Sequence, residues 1–77
     1  MSINNQENQK GQTIQIKVQE NNKAPGEPIF IREDGKIGFS TVNSIPLTIG
    51  DVVKGTVMLD EPHFFTVLVT EVISSGD

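Results

Sequence analysis

The sequence predicts an all-β domain, five short antiparallel strands curled into a small barrel behind a disordered N-terminal tail. Three observations carry that expectation. Apolar and polar residues alternate from Thr13 onward, and turn signals recur at Pro25-Gly26, Asp34-Gly35 and residues 60–63. No stretch repeats apolar residues at helical spacing over three turns.

The elements follow in chain order. Residues 2–12 are rich in Asn and Gln and almost free of apolar side chains, so burial cannot offset the entropy of ordering them. Residues 1–12 are expected to be a flexible tail and residues 13–74 a single domain. Ile14, Ile16 and Val18 alternate with Gln15, Lys17 and Gln19, the pattern of a strand with one buried and one wet face. A loop follows over residues 21–26. Strands at 28–33 and 36–42 then flank Asp34-Gly35, among the strongest hairpin signals in any sequence. Phe30 sits between Ile29 and Ile31 and must point away from both. It faces outward if the isoleucines are core, and inward if both faces are covered. Phe39 shares parity with Ile37, and the core is the expected place for both.

Residues 43–51 contain Pro46 and Gly50 and read as an ordered connection with room for a short helical turn. Pro46 lacks a backbone donor, so this segment suits an edge or a plug at the barrel end. Residues 52–59 form the fourth strand, with Gly55 as a site for a bend or bulge. Residues 64–73 form the fifth. That last strand is apolar on both faces: Phe65, Val67 and Val69 on one, Phe64 and Leu68 on the other. A strand with one wet face should alternate, so Phe64 and Leu68 point to a second buried surface, a homo-oligomer interface or a covering loop. The expected core is Ile14, Ile16, Val18, Ile37, Val53, Val57, Val67 and Val69.

Composition narrows the function classes. The chain has 77 residues and no cysteine, which excludes disulfides and thiolate metal sites. Its net charge of −4 works against non-specific attraction to a phosphate backbone. Lys17, Arg32 and Lys36 fall on or beside the first three strands and read either as a small phosphate-contacting strip or as solvated surface. His63 stands alone, so no metal ligand set forms, and no cofactor is expected. Catalysis lacks support as well: Glu33-Asp34 and Asp60-Glu61 occupy turns, where solvation keeps carboxylates ordinary, and no nucleophile has an adjacent base. With no signal-peptide pattern and no apolar run of membrane-spanning length, a soluble cytoplasmic protein is expected.

The succession Ile14-x-Ile16-x-Val18, Gly26-Glu27-x-Ile29, Asp34-Gly35-Lys36-Ile37-x-Phe39, Ile49-Gly50-Asp51-x-Val53 and Phe65-x-Val67-x-Val69 resembles the TRAM domain. That family is a five-stranded OB-like barrel attached to RNA-modifying enzymes or standing alone as an RNA-binding protein. The hairpin Phe30-Ile31-Arg32-Glu33-Asp34-Gly35 with Phe39 is similar to the cold-shock domain, another OB-type barrel. By position, the resemblance implies that Phe30 and Phe39 stack on nucleic-acid bases. Pro28 and the thin aromatic set depart from that pattern.

Two functions are therefore expected to compete. One is a non-catalytic module for single-stranded RNA, using Lys17, Phe30, Arg32, Lys36 and Phe39. The other is an acidic protein–protein interaction module, an adaptor, subunit or inhibitor, using an apolar strand edge around Phe64 and Leu68.

Overall fold

In the computed structural model, which describes residues 9–76, alternation becomes strand close to where the sequence places it. The strands are β1 (Thr13–Lys17), β2 (Gln19–Glu20), β3 (Pro28–Ile31), β4 (Ile37–Ser40), β5 (Val52–Asp60) and β6 (Phe64–Ser74). No helix forms among the described residues, and none is long and apolar enough to cross a membrane. Residues 1–8 of the expected tail lie outside the described residues. Three of its last four residues are bonded to β5: Gln9 N–H donates to the Asp60 carboxylate, Gly11 N–H donates to the Val57 carbonyl, and the Gln12 carbonyl accepts from Val57 N–H.

The strands make one curled sheet in the order β1-β5-β6-β4-β3-β2. This corrects the expected closed, five-stranded, antiparallel barrel in two respects. The sheet has six strands and stays open between its end strands, and β4 runs parallel to β6, with Ile37 opposite Phe64 and Ser40 opposite Val67. The two end strands are nonetheless neighbours in the chain, with only Val18 between them. Before Val18 the backbone pairs with β5, and after it with β3. That switch curls the sheet.

Local chemistry sets the turns. Between β3 and β4, Arg32 N–H donates to the Lys36 carbonyl and Gly35 N–H to the Arg32 carbonyl, leaving Gly35 at φ 89°. Only glycine adopts that conformation without strain, and the Asp34 carboxylate accepts the Lys36 N–H to close the loop. The connection after β4 forms no helix. It runs along β6, with the Ser44 hydroxyl accepting from Val69 N–H and donating to the Val67 carbonyl. Its Ile45 and Leu47 pack on the core.

Val18, Phe30, Val53, Phe65, Val67 and Val69 form that core, with Ile14 and Ile16 half-buried against it. Val57 and Ile29 are also buried. Ile37 departs from expectation and is 41% exposed. The face assignment of the hairpin is inverted as a unit, because Phe30 pairs with Gly38 on the inner side. A Cβ on Gly38 would overlap the Phe65 ring. The absent side chain leaves the space that the Phe65 ring fills, so position 38 faces inward and Ile37 and Phe39 turn outward.

Candidate binding face

The outer face is built by register. Residues directly opposed in neighbouring strands share a face. Ile31 pairs with Ile37, and Ile37 with Phe64, giving one apolar row across β3, β4 and β6. Phe39 pairs with Thr66, and Thr66 with Leu59, giving a second row. The Phe39 and Phe64 rings lie 6.4 Å apart at 54°, within the range of a tilted aromatic pair. Ile31, Ile37, Phe39, Leu59 and Phe64 are all exposed, and Leu68, opposite Thr56, is half-buried. The polar positions in these rows are threonines, not charges. A contiguous apolar surface of this kind marks an interaction site more often than scattered exposed residues do.

The inner side of the same hairpin ends in a charged corner. Lys36 Nζ lies 2.7 Å from Asp60 Oδ1, and Arg32 Nη1 lies 3.0 Å from Asp60 Oδ2. Gln9 N–H donates to the same Oδ2 at 2.6 Å. Arg32 also reaches Asp34 at 2.8 Å and stacks 5.4 Å above the centre of the Phe65 ring. The Asp60 side chain is only 1% exposed. Burial alone would raise its pKa, but bonds from Lys36, the Gln9 amide and Arg32 outweigh burial and hold it below the ordinary carboxylate value. Asp34 is lowered too, first by the Lys36 N–H and then by Arg32.

The expected site residues therefore separate. Phe30 is fully buried and offers no surface for stacking on a base. Arg32 and Lys36 meet on Asp60 instead of forming an open strip. Lys17 stays exposed on β1 and takes no part in that corner. Phe39, Phe64 and Leu68 come together on adjacent strands, as a sheet face and not as a strand edge.

Two residues escape the sequence reading. Ile31 belongs to the outer face because the hairpin parity is inverted. Asp60, expected as an ordinary turn carboxylate, is turned inward by a register shift between Val57 and Leu59. The inward residues Val53, Gly55 and Val57 would place residue 60 outward in an unbroken strand. The extra residue at the bulge reverses that. Its only trace in the sequence is an aspartate at the end of an apolar strand with two basic residues in the opposing hairpin.

Among the described residues no group of His, Asp or Glu is arranged to hold a metal ion. Compared with protein-family models, curated proteins and solved structures, the chain matches none.

Proposed function

We propose that this chain is a non-catalytic binding module that docks a protein surface, a second copy of itself included, on the outer face of β3, β4 and β6. One observation carries the reading: Ile31, Ile37, Phe39 and Phe64 form a continuous exposed apolar surface with no charge among them. An OB-like plan is consistent with it. Taken together, β1 and β2 act as one bent strand, and the order then returns on itself through the parallel β4–β6 pair. In OB folds the face corresponding to β3 and β4 is the one that holds ligands.

A second reading rests on the exposed Phe39–Phe64 pair, which also suits stacked bases of single-stranded RNA. The net charge of −4 and the internal pairing of Arg32 and Lys36 favour the protein reading. Sedimentation across a concentration series, beside titration of a short labelled RNA at low and high salt, tests both. The expected result is concentration-dependent mass in the wild type, lost in Phe64→Ser, with no RNA bound at low salt. RNA affinity that falls with salt and vanishes in Phe39→Ala would give the face to nucleic acid.

A further inference from the structure

The sheet is open along the seam between β1 and β3. Hydrogen bonds at the two ends of β1 set which way its backbone points: Val57 N–H donates to the Gln12 carbonyl, and Val18 N–H donates to the Asp51 carbonyl. In an antiparallel ladder, alternate residues turn both N–H and C=O to the same neighbour. Ile14 and Ile16 therefore bond toward β5, opposite Gly55 and Val53. Thr13, Gln15 and Lys17 turn their backbone groups the other way, toward β3. No ladder meets them there, because β1 ends the sheet. Pairing with β3 begins only beyond Val18, where Gln19 lies opposite Ile29.

Between these strands lies a cleft of about 550 Å³, lined by Ile14, Gln15, Ile16, Ile31, Arg32 and Glu33 among others. An unpaired strand edge beside an open cleft is the geometry for strand addition. We infer that the seam binds an extended peptide of a partner protein, which adds as a strand along β1. Backbone bonds to Thr13, Gln15 and Lys17 hold it.

The walls specify the peptide. Its side chains alternate between the two faces of the sheet. Those turned inward lie beside the half-buried Ile14 and Ile16 and are aliphatic. Glu33 at the rim is exposed and makes no ion pair among the described residues, so it favours a lysine or arginine in the peptide. Ile31 borders both sites, but the unpaired backbone edge of β1 belongs to this one alone, so it stands or falls separately from the outer-face reading.

The test is amide hydrogen exchange on the full chain, followed by NMR, with a capped peptide that alternates valine with threonine and carries a lysine at each end. In the free protein the amides of Thr13, Gln15 and Lys17 exchange faster than those of Ile14 and Ile16. Saturating peptide slows those three by about tenfold or more, as pairing protects an amide from solvent. The same peptide N-methylated along its bonding edge gives no protection. Gln15→Pro removes one donor aimed at the cleft and weakens binding. Protection of the three amides without peptide would overturn the inference. So would equal binding of the N-methylated peptide, or shifts confined to Phe39 and Phe64, which would place the peptide on the outer face.

Discussion

The two sides of the β3–β4 hairpin reverse the usual roles of their residues. On the inner side, Arg32 and Lys36 look like groups waiting for an anionic ligand, yet both are satisfied by Asp60 within the fold. On the outer side, Ile37 and Phe39 look like core, yet both are exposed. Charge is consumed internally, and apolar surface is left for partners. A charged cluster deep in a small domain is therefore weak grounds for ligand binding when its charges already cancel. An apolar face that the chain's own core does not need is the stronger signal.

The contrast can be broken most forcefully from inside. Phe30→Ala should cost about 3–5 kcal/mol, the usual loss for a fully buried phenylalanine. Chemical denaturation measures it, and a loss well below 1 kcal/mol would mean that Phe30 lies at the surface. Asp60→Asn should cost about 3 kcal/mol, because Lys36 then remains partly buried without a counter-charge and Arg32 loses its buried carboxylate, keeping the exposed Asp34.

The same aspartate predicts an acid dependence. Its folded pKa is depressed, so its contribution is fully present above the unfolded value of about 3.9 and is lost as pH falls through the folded value. Stability measured from pH 6 downward should therefore drop less steeply in Asp60→Asn than in the wild type. Equal slopes would show that the corner carries no such linkage.

Gly38→Ala comes next in size. A methyl group there meets the Phe65 ring, and overpacking of this kind costs about 1–3 kcal/mol. The smallest effect on stability is expected on the outer face. Phe39→Ser should change it by less than about 1 kcal/mol while abolishing association. Leu68→Lys should likewise give a folded monomer by sedimentation. An oligomer unchanged by both substitutions would move the interface elsewhere.

Much of this was legible in the sequence, and the failures share a cause. Alternation from Ile14 to Val18 and from Val67 to Val69 located the core of β1 and β6, and Gly55 marked an irregular ladder, as the shift between Lys54 and Gly55 bears out. Phe64 and Leu68 were legible as surplus apolar residues because β6 carries more than one face can hide. The parity of Phe30, Ile37 and Phe39 was not. Ile29 is buried on the side opposite Phe30, so both faces of β3 carry large apolar side chains and alternation gives no preference between them.

By itself the sequence determined that the chain is β, where it turns, and that its last strand has apolar surface to spare. Those properties depend on composition, period-two spacing and local glycine conformations such as Gly35, all of which act between near neighbours in the chain. Only the tertiary structure decided which face of the hairpin is buried and that Asp60 turns inward. The first follows from Phe30 meeting Gly38 across a ladder, with the Phe65 ring beneath. The second follows from a bulge at Met58 that rotates the end of β5 by one residue. Both are relations between strands, and they exist only once the strands have paired.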